Sequence, residues 1–162
     1  MNARTTFSVL LILILTTVVA TTQTSFATAD NGPEAFGDGQ FRFNNELVHF
    51  SFHAKANKNG HASGRAQYDN LTTQTTVLVR INCLSASVFT ASMGGIVLHS
   101  DDPDFPKGAR VLFAASDDSV VLPGGVDDIT PLFVNPFLDL DCNDTQPLTI
   151  LPVENGDVRI EL

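Results

Sequence analysis

The chain has 162 residues and a formal charge of −9, with 18 acidic against 9 basic side chains, two cysteines, one tyrosine and no tryptophan. So acidic a surface repels phosphate backbones and anionic lipid, which argues against nucleic acid as a partner. The length suits one domain with a real core.

The N-terminus carries Arg4 without a nearby acid, then the apolar run "FSVLLILILTTVVA" from Phe7 to Ala20. It ends in "SFATAD", where Ala27 and Ala29 form a small-x-small pair. That order predicts a secretory signal peptide over residues 1–29, cleaved before Asp30. The apolar run falls short of the ~20 residues of a spanning helix. No second such run follows, so no transmembrane span is expected in the mature chain. Retention of the signal as an anchor is the alternative. Cleavage removes one basic residue and no acidic one, leaving 8 basic side chains against 18 acidic ones.

Residues 30–39, "DNGPEAFGDG", hold three glycines and a proline without apolar periodicity, and read as an extended leader. A single all-β domain is expected from 40 to 162. In "LVHFSFHAK" (47–55), Val48, Phe50, Phe52 and Ala54 alternate with His49, Ser51, His53 and Lys55. This is the period of a half-buried strand with its aromatics inward. After the turn "NKNG" come "SGRAQYD" (63–69), "TTVLVRINCL" (75–84), "SASVFTA" (85–91), a break at Gly94 and Gly95, and "IVLH" (96–99). A further strand is expected in "ARVLFAASD" (109–117), and a last one in "DVRIEL" (157–162). Between them, residues 119–152 carry five of the eight prolines and read as loops with short edge strands. About eight or nine short strands split by Gly, Pro, Asn and Asp predict an antiparallel β-sandwich or small β-barrel.

Export would place Cys83 and Cys142 in an oxidising compartment, where a cysteine pair persists as a disulfide. A catalytic thiol needs a basic partner and an orienting group, and a metal site needs further soft ligands at short spacing. The sequence supplies neither motif, so a Cys83–Cys142 bridge is the expected pairing, with two free thiols as the alternative. Cys83 continues the face of Val77, Val79 and Ile81, which predicts a sulfur pointing into the core.

Aspartate is concentrated late: ten fall within residues 101–144, whereas residues 40–80 hold five basic side chains against two acidic ones. "DLDCND" opens like a calcium loop with Asp139, Asp141 and Asn143, then departs from it at Asp144 and Ile150. Asp101, Asp102 and Asp104, together with Asp117, Asp118, Asp127 and Asp128, could complete an irregular oxygen site. The last four are the candidate calcium ligands, and solvated turns are the competing reading. His49 and His53 share a strand face but lie ~13 Å apart at ~3.3 Å per residue, too far for one metal ion. Asn70-Leu71-Thr72 and Asn143-Asp144-Thr145 are glycosylation sequons, making Asn70 and Asn143 candidate acceptors. No nucleophile elbow, zinc-protease helix or phosphate loop is present.

"FSFHAKANKNGHASGRAQYDN", the strand pair "VLVRINCLSASVFTASMGGIV" and "VLFAASDDS" resemble a secreted all-β domain that recurs in uncharacterised bacterial and archaeal extracellular proteins. The likeness covers roughly residues 40–128. "SASVF" lacks the Gly-Asn turn usual in those relatives, and "SDDSVVLPGGVDD" is a looser version of their later acidic turn. The resemblance implies a secreted β domain and brings no catalytic residues with it. The expected function is a secreted or cell-surface, non-enzymatic module for an extracellular partner. The alternative is an extracellular hydrolase-like enzyme working in a barrel mouth or loop cleft.

Overall fold

The computed structural model describes residues 32–120, 124–134, 142 and 149–162. The expected signal peptide, the acidic residues Asp139 and Asp141, and the sequon at Asn143 lie outside the described residues. Ten strands are described: β1 (Glu34–Phe43), β2 (Glu46–Ala56), β3 (Ala62–Asn70), β4 (Thr75–Ala86), β5 (Thr90–Ser100), β6 (Arg110–Ser116), β7 (Asp128–Ile129), β8 (Phe133–Val134), β9 (Leu151–Pro152) and β10 (Asn155–Glu161). A short 3-10 turn, Asp118–Val120, follows β6. All strand pairs are antiparallel and belong to one sheet, ordered β10-β1-β2-β3-β4-β5-β6-β7-β9, with β8 on β6. The sheet curls into a half-barrel, so the architecture is not two facing sheets of a sandwich. Among the described residues no helix is long and apolar enough to cross a membrane.

The alternation in β2 sets its two faces. Phe50 and Phe52 are buried, His49 is half-buried and His53 is exposed. Phe41, Phe50, Phe52, Tyr68 and Phe113 form a chain of ring contacts 5.6 to 6.2 Å between centroids. Such pairs contribute roughly 0.5–1.5 kcal/mol each beyond simple burial. Val79, Ile81, Met93, Val97 and Val111 fill the space beside them. The concave side of the sheet is thus occupied by side chains.

Two expectations need correction. Residues 34–39 are not a leader: they form the first half of β1, paired to β2 on one side and β10 on the other. The glycines that hid this strand's pattern answer a packing need. A Cβ on Gly37 would sit 2.8 Å from the Phe52 ring, and one on Gly39 would sit 2.6 Å from the Asn155 carbonyl oxygen. Likewise Gly94 and Gly95 do not break a strand but lie buried inside β5. A Cβ on Gly95 would approach the Val79 side chain to 2.7 Å, and the Arg80 carbonyl oxygen more closely still. The turn falls instead at residues 87–89, so 75–86 is one long strand.

The β4–β5 pairing also reverses the direction expected of Cys83. The register shifts between Ile81 and Cys83, leaving Asn82 as an extra residue. A bulge of this kind changes which side chains face inward. Beyond it Leu84 and Ala86 pack on the core, which turns the intervening Cys83 to the outer face, where it is half-buried. The cysteine was expected to point inward because strict alternation had been extended through a bulge. Cys83 and Cys142 sit at disulfide-bonding distance, with Cα atoms 5.9 Å apart.

The two edges of the sheet are consecutive in the chain, and a set of bonds draws them together. The Val153 N–H donates to the Asp127 carbonyl, and the Glu154 N–H donates to the Gln40 carbonyl on β1. The buried Asp127 carboxylate accepts from the N–H groups of Asp118 and Val158. It therefore ties the turn after β6 to β10 across the seam. Thr130, also buried, accepts the Ala114 N–H at its hydroxyl and returns its own N–H to the Ala114 carbonyl.

Candidate functional site

Three connections meet at one end of the half-barrel. Asn44 and Asn45, both at positive φ (51° and 67°), join β1 to β2 as a two-residue hairpin turn. That geometry matches the right-handed twist of the strands and favours asparagine. Asn70 organises the β3–β4 turn: its side-chain oxygen accepts from the Thr72 and Thr73 N–H groups, and its Nδ2 donates to Glu46. The β5–β6 connection folds on Asp102, whose Oδ1 accepts the Asp104 N–H and whose own N–H donates to the Ser100 hydroxyl.

Between these turns lies a cavity of about 370 Å³. Phe41, Tyr68, Val77 and Leu132 belong to its apolar floor, with Phe43, Val48 and Phe105 higher up. Asn44, Glu46, Asn70, Asp102 and Asp104 add the polar lining. Among the described residues the lining includes three carboxylates and no Lys, Arg or His. Aromatic faces under a carboxylate rim favour a cation that carries apolar surface. Among the described residues Tyr68 is the floor's one ionisable group. Its hydroxyl donates to the Thr130 carbonyl at 3.3 Å, and burial pushes its pKa well above the ordinary tyrosine value.

The aspartates expected to hold calcium sit beyond the far end of β6 and at β7, and two of them, Asp117 and Asp127, have their carboxylates engaged by hydrogen bonds. Asp117 is buried and accepts from the Ser119 hydroxyl at 2.6 Å. Asp127 commits one oxygen to the Asp118 N–H and the other to the Val158 N–H. Asp128 has its pKa raised, first by desolvation and then by the neighbouring charges of Asp118 and Asp127. Among the described residues no group of three or more His, Cys, Asp or Glu side chains stands at metal-holding geometry.

The histidines of β2 take separate carboxylate partners, as their spacing required. His49 lies 3.4 Å from Asp38 and 3.8 Å from Asp69, and His53 lies 2.6 Å from Glu34. Hydrogen bonds from His53 and Lys55 hold the Glu34 carboxyl below its usual range. His99 pairs with Asp101 at 3.3 Å. The sequon residue Asn70 closes β3 at the cavity edge, and its Nδ2, the atom a glycan would take, already contacts Glu46. The mouth as a unit was missed in the sequence. "FRFNNELVHF" carries the signal of its first turn, two asparagines between alternating apolar runs, but the three turns that form the mouth meet only in the fold. Known protein families, curated proteins and solved structures were each compared with this chain, and none matches.

Proposed function

We propose that this is a secreted or cell-surface, non-enzymatic interaction module whose barrel mouth receives a cationic, partly apolar group of an extracellular partner. One observation carries the reading. An aromatic floor under Glu46, Asp102 and Asp104 offers a guanidinium or ammonium both a π-face and a counter-charge. Asn70 and Asp102 are engaged in shaping their turns, which keeps the rim preorganised. The export signal expected at residues 1–29, the disulfide expected between Cys83 and Cys142, and the resemblance of residues 40–128 to secreted β domains point to the same setting.

Tyr68 is the sole tyrosine in a chain without tryptophan, so its fluorescence reports on the mouth alone. Titration with an arginine hexapeptide should change that signal saturably, and a glutamate hexapeptide should not. Asp104→Asn should weaken the response. An unchanged signal with both peptides, or an equal response to both, would remove the cation-accepting mouth. Turnover of an added glycoside or ester that is lost in Glu46→Gln would replace the module by the hydrolase. Intact mass of exported material should start at Asp30, and retention of Met1 to Ala29 would contradict the cleaved signal.

A further inference from the structure

The outer face of the sheet carries a row of side chains rich in cations, aligned across six strand pairings. Pairing across the strands aligns Arg159 with Phe36, Phe36 with His53, His53 with Arg65, Arg65 with Arg80, Arg80 with Ile96, and Ile96 with Arg110. Within this row Arg159 pairs with Asp157 and His53 with Glu34. Arg65 and Arg80 are both exposed, stand directly opposite each other, and among the described residues have no ion pair or side-chain hydrogen bond. Like charges directly opposite on neighbouring strands are destabilising. Unpaired cations are all the more conspicuous in a chain with twice as many acidic as basic residues.

We infer that Arg65 and Arg80 of one copy dock into the acidic aromatic mouth of a second copy, giving head-to-tail self-association. This rests on the reading of the mouth as a cation acceptor and names its partner. The chemistry is complementary: a guanidinium pairs with carboxylates in a forked geometry and stacks on aromatic faces. Row against row would oppose arginine to arginine, so a symmetric contact through this face is excluded. The contact within one copy is excluded too. Arg65 lies five residues along β3 from Asn70 at the mouth, and Arg80 five along β4 from Thr75, which is roughly 16 Å at the rise of a strand. Both arginines also project from the wall and not into the cavity. A second copy is favoured over a free polyanion by long-range charge. A dense polyanion meets the field of the whole acidic chain, whereas a second copy presents a few carboxylates locally. The end of one copy then abuts the wall of the next, a heterologous contact that builds rings or open filaments.

Sedimentation velocity of the mature chain tests this across concentration at about 0.01 M and about 1 M salt, where the screening length falls from about 30 Å to about 3 Å. The weight-average mass should rise with concentration at low salt and return to the monomer at high salt. Arg65→Glu with Arg80→Glu should lose the rise, as should Asp102→Lys with Asp104→Lys. Because Asp102 supports its turn, Asp104→Lys alone is the second variant if the pair melts early. Mixing the two charge-reversed proteins should restore association, since the arginine row of one meets the intact mouth of the other and the reversed row meets the reversed mouth. A wild type that stays monomeric at low salt overturns the inference, as does an arginine variant that associates normally or a mixture that remains monomeric. A monomeric wild type whose Tyr68 still responds to arginine peptide would overturn self-association while leaving the mouth as a cation site.

Discussion

Tyr68 joins core and mouth, and its phenol is a direct probe of whether that floor stays dry. Burial raises its folded pKa, so above the unfolded value the folded chain holds a proton that the unfolded chain has released. The stability from this group is therefore complete below the unfolded value and is lost as pH climbs through the folded one. Ultraviolet titration should show no phenolate until well past the ordinary range, with its appearance coinciding with loss of folded structure. Ionisation at the usual pH with the fold intact would mean a wet floor. Asp127 acts at the same scale, since both of its oxygens accept backbone N–H groups and the bond to Val158 is buried. Asp127→Ala should cost roughly 2–4 kcal/mol by chemical denaturation, from lost charged hydrogen bonds and a stranded donor. Asp127→Asn keeps one acceptor oxygen and should cost less.

Among the elements, β4 is the one whose local geometry changes the meaning of a residue. Its bulge at Asn82 turns Cys83 outward while Leu84 and Ala86 return to the core. The sulfur can then meet Cys142, itself buried, without a place in the aromatic cluster. The two cysteines are separated by 59 residues, and closing a loop of that size is worth ~4 kcal/mol by chain entropy before native strain is subtracted. Replacing both cysteines by alanine should lower the denaturant midpoint of the oxidised protein. The same variant should match the reduced wild type. Equal midpoints for oxidised and reduced wild type would show that the pair does not stabilise the chain as a bridge.

For the whole molecule, the decisive feature is that the first and last described strands are neighbours. Seven residue pairs join β1 to β10, and Val158 and Ile160 enter the core from β10. Deleting residues 155–162 removes an edge strand, the donor to Asp127 and one flank of β1 together. Such a truncated chain should lack a cooperative thermal transition and bind a hydrophobic dye, while the full mature chain melts sharply. A sharp melt from the truncated protein would place the folding unit in β1 to β6 alone. Pairings of such wide sequence separation also predict folding in milliseconds to seconds rather than microseconds.

Alternation along the chain was enough to determine that this is an all-β protein, that Phe50 and Phe52 face inward, and that His49 and His53 cannot share a metal. Each follows from the period of two in side-chain direction, a property of the backbone that needs no partner strand. The proline-rich stretch also yielded the short strands β7, β8 and β9 that its composition suggested. Tertiary structure decided everything that depends on who the neighbour is. Gly37, Gly39 and Gly95 look like breakers in isolation, yet they belong to strands because another strand's atoms occupy the space of their missing Cβ. Cys83 faces outward because a bulge is a mismatch between two strands, invisible in either one. The mouth unites Asn44, Asn70 and Asp102 from three separate connections, and the Arg65–Arg80 pair exists only through register. Sequence carries direction and period; proximity between distant residues is set by pairing and curl, which the packed core decides.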